Sequence, residues 1–447
     1  MSLRGVWLIA AFLVTTSFFL FAQAPGFKGE FGSVLKWQCG SSGPIAVTLG
    51  DFNGDSKLDA AVVDGTGGNV CLGNGDGSFQ AAKPFAAGSS PIALAAADFN
   101  KDGKVDLAVV NSNQPGLTNG DTVSILLGNG DGTFQPPVNF ATGKNPNAIF
   151  VADINGDGNL DIVVSNASSN SLTVLAGKGD GTFTAEPSPS LPFSPKSIQS
   201  GEFNGDGKLD IAVAGCTPMG CDFTSTANNL AILLGNGDST FNQPLLSALS
   251  GQVAGHIAAA DFNKGGKLDL VVSYFATNVS APEGTDVDVL LGNGDGSFSK
   301  DQTLRLSLTK SVSALAAADF NGDGNPDIIG ANQGALMELQ ALGDGTFTAI
   351  LYAHGTTGDS MAVGDLNGDG LPDLVYATGA TLNVLLNARA LSRASSSVSL
   401  SITPSPIQAL SSATLTAKVN SPATNLTGGV TFLVDNRIVL PSDTLVA

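Results

Sequence analysis

The 447-residue chain is predicted to be all-β: a seven-bladed β-propeller closed by an N-terminal strand, with a shorter strand-rich segment behind it. Three observations predict this. A nine-residue acidic loop recurs seven times, the same succession of short apolar runs surrounds each copy, and one strand-like piece is left over at the N-terminal side. The loops begin at Asp51, Asp98, Asp153, Glu202, Asp261, Asp319 and Asp365, at intervals of 47, 55, 49, 59, 58 and 46 residues. That period suits one small sheet per repeat.

The elements follow in order. Residues 1–24 read as an export signal: Arg4 supplies a positive start, Gly5 to Phe21 an apolar run, and Ala22, Gln23 and Ala24 a small-x-small cleavage site. Pro25 directly after that site hinders a peptidase, so an uncleaved membrane anchor is the other reading. Phe27 to Trp37 is the leftover strand. From there to 388 each repeat reads as a first, Ala-rich run (PIALAAA before Asp98), the acidic loop, a second run (DLAVV), a third (TVSILL), a GNGDGTF turn and a fourth run broken by Pro136 and Pro137. Short apolar runs bounded by Gly, Asn and Asp are strand signals. Small residues suit the crowded axis, and proline suits an outer edge strand. There are six GNGDG-type turns for seven loops, because the last repeat stops near Asn387. The leftover strand is therefore expected to complete blade seven and remove the free sheet edges.

Composition limits the function. With 20 basic and 39 acidic residues the formal charge is −19, which disfavours nucleic acid as a partner. Only two histidines, His256 and His354, are available for catalysis, and neither lies in a triad or zinc pattern. Four cysteines, at 39, 71, 216 and 221, leave disulfide pairing open. Cys216 and Cys221 are close enough in sequence for a small ring, while free buried thiols are the other reading, more so for Cys39 and Cys71.

The acidic loops carry the chemistry. Positions 1, 3, 5 and 9 present oxygen side chains: Asp51, Asn53, Asp55, Asp59; Asp98, Asn100, Asp102, Asp106; Asp153, Asn155, Asp157, Asp161; Glu202, Asn204, Asp206, Asp210. They continue as Asp261, Asn263 and Asp269; Asp319, Asn321, Asp323, Asp327; and Asp365, Asn367, Asp369, Asp373. Hard oxygen donors at this spacing round a Gly-containing turn are what Ca²⁺ requires, and Mg²⁺ is less apt because it dehydrates reluctantly. Turn chemistry alone is the plainer explanation, but seven repetitions of like-charge crowding favour a cation. Position 7 varies between Lys, Asn and Leu and is expected to act through its main-chain carbonyl; position 2 is always apolar and should anchor the loop. Glu202 should loosen its site, and Gly265, replacing the acid at position 5, should leave the fifth site weak or empty, which gives about six Ca²⁺. The aspartates of the GNGDG turns are read as caps of their own hairpins.

These loops and turns resemble the FG-GAP and VCBS repeats, whose propeller also forms the head of integrin α subunits. The resemblance spans about Pro25 to Asn387. It implies a seven-bladed propeller with Ca²⁺ in the loops between first and second strands, commonly in extracellular adhesion or recognition proteins, with the residues above as ligands. The tail 389–447, with SVSLSIT, ATLTAKV and GGVTFLVD, is similar to the opening half of a bacterial immunoglobulin-like domain and is too short for a whole sandwich.

The functional expectation is a secreted or cell-surface calcium-binding module that recognises an extracellular protein or glycan. Recognition would use the face opposite the metals, where the connections Asn111 to Thr122, Gly215 to Asn229 and Tyr274 to Asp286 are long. Phe223, Tyr274 and Phe275 are the candidate aromatic anchors there. The alternative is a polysaccharide-active enzyme, or a propeller belonging to one, since carboxylate pairs can act without histidine.

Overall fold

The computed structural model describes residues 30–31, 34–40, 43–112, 121–216, 230–247, 249, 254–274, 286–305, 312–332, 335–352, 360–378 and 381–388, and strands between 397 and 444. Lys28–Arg389 form one compact unit; Met1–Phe27 with Ala390–Ala447 form another. The expected export signal and the Cys221, Phe223, Phe275 and His354 positions lie outside the described residues.

Seven four-stranded antiparallel sheets make the first unit. Blade one is Ala46–Gly50, Asp59–Val63, Gly68–Cys71 and Lys83–Phe85, in that order across the sheet. The first strands of blades two to seven are Pro91–Ala97, Pro146–Ala152, Ser194–Gly201, Ala254–Ala260, Ala314–Ala318 and Met361–Gly364. Each first strand touches the next, and that of blade seven touches that of blade one. The ring is closed. Small side chains such as those of PIALAAA permit this convergence, whereas second and third strands, covered on both faces by neighbouring blades, are buried and mostly apolar.

Closure is made as the leftover strand requires. Leu35–Trp37 pairs antiparallel with Thr381–Leu385, Leu35 opposite Val384 and Trp37 opposite Leu382, and Glu30–Phe31 pairs with Asn387–Ala388. Phe31 also takes up an aromatic role repeated round the ring. The turn phenylalanine of one blade meets the apolar position 2 of the preceding blade edge to face: Phe134 with Phe52, Phe183 with Phe99, Phe298 with Phe203 and Phe347 with Phe262, at 5.6–5.8 Å between ring centres. Blade seven has no such turn, and Phe31 meets Phe320 at 5.8 Å instead. Position 2 thus anchors its loop in the core, as its apolar character predicts, and does so against the neighbouring blade.

Cys39 and Cys71 form a disulfide, fastening the segment after the closing strand to the third strand of blade one. This corrects the free thiols expected at these two positions: residues 32 apart in sequence come together only once the ring is closed, which spacing does not reveal. Cys216 is disulfide-bonded as well. In the second unit Ser397–Thr403 pairs with Thr414–Asn420, Gly429–Val430 with Asp443–Thr444, and Leu433–Val434 with Arg437–Ile438. These are separate two-stranded ribbons, and an immunoglobulin-like sandwich is not shown among the described residues.

Candidate metal centres

All seven acidic loops connect the first and second strands of their blades, on the face that also carries the GNGDG hairpins. Proximity proves the shared face: a side chain added at Gly75, Gly130, Gly237 or Gly294 would strike the position-7 lysine of the same blade, Lys57, Lys104, Lys208 or Lys267. Position 7 therefore lies beneath its hairpin, and Lys267 donates to the carbonyl of Asn293 at 2.6 Å. This use of the side chain was missed in the sequence, where its variability pointed only to the main chain.

Inside the loop, backbone amides organise the carboxylates. Asp51 accepts from the amides of Gly54 and Asp55 through Oδ1 and from Ser56 through Oδ2, at 2.7–3.1 Å. Asn53 Oδ1 accepts from Asp55 and Asp55 Oδ1 from Lys57. The same pattern of position 1 taking amides from positions 5 and 6 recurs at Asp98, Asp153, Asp319 and Asp365. Asp261 keeps it too, with Gly265 and Gly266 as donors, so the fifth loop holds its shape without the missing acid. Glu202 differs: its Oε1 alone takes the amides of Asn204, Gly205 and Asp206, the reach of one more methylene. Positions 4 and 6 both have positive φ in every loop, held by glycine or, at a conformational cost, by Ser56, Lys101 and Lys264. The need at position 6 was legible; the need at position 4 was not.

Position 9 is the buried end of the site. Asp59, Asp106, Asp161, Asp210, Asp269, Asp327 and Asp373 are all at most 1% exposed. Each Oδ2 accepts from the position-2 amide of its own loop at 2.8–3.0 Å. Each Oδ1 accepts from the end of the third strand at 2.6–2.9 Å, as Asp59 does from Gly73 and Asp373 from Asn387. Burial raises all seven carboxyls despite these bonds, with repulsion from the other acids of the loop adding to it. Asp59 and Asp373 reach about 6 and Asp327 about 8.

The donor set fits a hard divalent cation. Every donor is oxygen, and a carboxylate oxygen that accepts one amide keeps a second lone pair. Among the described residues, however, no group of three or more His, Cys, Asp or Glu is gathered at metal-binding spacing. Amides hold positions 1, 5 and 9 apart, each with its own partners. The hairpin aspartates do cap their turns, as expected: Asp76, Asp131, Asp180, Asp238, Asp295 and Asp344 each accept from the amide two residues on. Hydroxyls of the neighbouring Ser or Thr hold their carboxyls below the usual range.

On the opposite face Tyr274 is a correction. It is buried, not an exposed anchor, and its hydroxyl bonds the carboxylate of Asp288, a fully buried acid in the third strand of blade five. Burial alone would raise Asp288, but bonds from Tyr274, Thr303 and Lys300 outweigh it and lower it. The segments 113–120, 217–229 and 275–285 of the expected recognition loops lie outside the described residues. His256 sits in the first strand of blade five, where its amide donates to Ser273.

The FG-GAP-like repeat family matches residues 51–109, 110–164, 153–213, 203–272, 276–330 and 319–376. No curated protein matches the chain. Among solved structures, two of BBS1N in complex with ARL6DN, from crystals soaked with lead and with mercury, are similar at TM-scores of 0.55 and 0.54, with 14% and 15% identity. Both cover 80% of this chain and 96% of the other. An Agrocybe aegerita lectin specific for non-reducing terminal N-acetylglucosamine is similar at a TM-score of 0.47 and 21% identity, covering 72% of this chain and 80% of its own.

Proposed function

The chain belongs to the FG-GAP-like repeat family, and from that premise we propose that it is a calcium-binding recognition propeller, exported to the cell exterior, that binds an extracellular protein or glycan and is not itself an enzyme. The observation that carries the calcium reading is the sevenfold burial of a position-9 carboxylate beneath a loop of further oxygen donors. Burying carboxylates among like charges is costly unless a cation offsets them. The ligands would be the position-1, 3, 5 and 9 side chains of each loop. Bound Ca²⁺ would supply the charge that neutralises them; the chain's own amides already hold position 1 and position 9 in place for it. The fifth loop, lacking the acid at position 5, is the weak member.

Recognition is supported by the scaffold. A closed ring fixes its loops rigidly, and the sequence lengthens three second-to-third-strand connections on the face away from the acidic loops. Export is supported by the signal-like residues 1–24 and by disulfides at Cys39, Cys71 and Cys216. Among the described residues no helix is long and apolar enough to cross a membrane. The tail from 389 would be immunoglobulin-like in its strand runs.

Calorimetric titration of the full chain with Ca²⁺ tests the first half, with about six equivalents expected; no uptake would reject it. A glycan array, together with a binding screen against extracellular proteins, tests the second. Binding that survives replacement of residues 113–120, 217–229 and 275–285 would reject that face.

A further inference from the structure

Beneath each GNGDG hairpin lies a slot beside the acidic loop of the same blade, and its occupant changes round the ring. Lys57, Lys104, Lys208 and Lys267 fill it in blades one, two, four and five, their stems 2.8–3.3 Å from where a side chain on the hairpin glycine would begin. In blade three position 7 is the short Asn159, and a lysine arrives from the loop before. Lys101 Cε lies 3.4 Å from the same point at Gly179, and its Nζ lies 3.9 Å from a side chain begun at Gly158 in the third acidic loop. Lys101 stands at position 4 of loop two with φ at 60°, a backbone that glycine holds at this position in five other loops.

Blades six and seven break the series. In blade six Asn325 fills the slot, with Oδ1 2.5 Å from a side chain begun at Gly343, and that oxygen is buried without a hydrogen-bond partner. Loop six thus offers an unengaged oxygen where other blades hold a lysine. Position 7 of loop seven is Leu371, whose Cδ2 lies 3.2 Å from a side chain begun at Gly322 of loop six. Lys264 holds in loop five the place of Lys101 in loop two, yet a side chain begun at Gly324, the counterpart of Gly158, would meet nothing within 4 Å.

The lysines face the oxygen a cation would use. In six loops the position-5 Oδ1 accepts the position-7 amide, which leaves Oδ2. Lys57 Nζ stands 3.8 Å from Asp55 Oδ2 and Lys104 Nζ 3.6 Å from Asp102 Oδ2. The amide of Asn159 and, at longer range, the Lys101 charge hold the Asp157 carboxyl below its usual range. In loop seven the donor to Asp369 Oδ2 is the neutral Asn367 Nδ2, at 3.3 Å. A calcium ion entering loop one or two must part a carboxylate from its ammonium and then sit beside that charge; loops six and seven impose neither cost. Building on the calcium reading of the acidic loops, we propose that the lysines set against loops one to five are built-in counter-ions and that loops six and seven take Ca²⁺ first. Both adjoin the closure of the ring: Phe31 packs on Phe320 of loop six, and Asp373 of loop seven accepts the amide of Asn387, the residue paired with Phe31. The first ions bound therefore act where the N-terminal strand completes the circle.

Titration of the metal-freed full chain with Ca²⁺ against a chromophoric chelator tests this, at about pH 8.5 so that carboxyls are ionised and lysines charged. Wild type should take up two equivalents about tenfold more tightly than the rest, the size expected of half-exposed charges. Lys57→Met/Lys104→Met, which keeps the stems under their hairpins, should move two further equivalents into the tight class. Asn325→Lys should remove one. Circular dichroism checks that each folds. A single class in wild type, or a tight class that either variant leaves unchanged, would overturn the proposal while leaving calcium in the loops. No uptake by any of the proteins would reject the calcium reading itself, and this inference with it. A second readout needs no metal: in EDTA the double methionine variant should melt below wild type by a margin that shrinks at high salt. A margin indifferent to salt would show that the lysines only pack, and would also overturn the proposal.

Discussion

Ser239 shows what a single side chain costs in this repeat. It occupies the turn position held by Gly77, Gly132, Gly181, Gly296 and Gly345 in other blades, keeps φ at 62°, and buries a hydroxyl without a partner. A left-handed backbone costs a non-glycine residue about 1–2 kcal/mol, partly offset by the freedom glycine adds to the unfolded chain. Ser239→Gly should therefore raise stability by about 1 kcal/mol, read as a higher urea midpoint. The buried aspartates give a second expectation. A carboxyl raised by folding stabilises most below its ordinary value of 3.8, and that contribution fades as pH rises through the folded value. The window ends near 6 for Asp59 and Asp373 and near 8 for Asp327. In EDTA the melting temperature should thus fall between about pH 4 and 8; with saturating Ca²⁺, which needs ionised ligands, it should rise or stay level. The lowered hairpin aspartates act below that window. At this scale the sequence was readable wherever a residue recurs: position 9, the hairpin caps and the glycines of position 6. Singular residues such as Lys101, Asp288 and Tyr274 follow no period, and only their neighbours reveal what they do.

Closure belongs to the element. Phe31 stands in for the missing seventh turn phenylalanine, and Asn387, whose Nδ2 donates to Phe320 O, for the turn amide that Gly132 gives to Phe52 O. Phe31→Ala should destabilise the fold by about 3 kcal/mol, the cost of truncating a large core aromatic, and thermal unfolding would measure it. A change below about 1 kcal/mol would show that backbone pairing alone closes the ring. The need for an N-terminal strand was legible from a count of turns against loops. Its aromatic contact was not, because GEF carries none of the glycine-aspartate punctuation that marks the other six. The Cys39–Cys71 bridge escaped for a related reason: it joins parts of the chain that only the closed ring makes neighbours.

For the whole molecule the dominant quantity is charge. Six Ca²⁺ would carry twelve positive charges and bring the formal balance from −19 to −7. Chelation should lower the melting temperature, more at low salt than at high, because unscreened repulsion between seven acidic loops on one face is then released. Scanning calorimetry with EDTA at two ionic strengths would check it; identical melting with and without chelator would remove calcium from the account. The pairing of Leu35–Trp37 with Thr381–Leu385 also has a meaning for biosynthesis. The earliest strand of the propeller stays without its sheet partner until Thr381–Leu385 has left the ribosome, so the circle cannot form before nearly all of the propeller has been made. A product interrupted before Thr381 keeps an open seam, and with it free sheet edges.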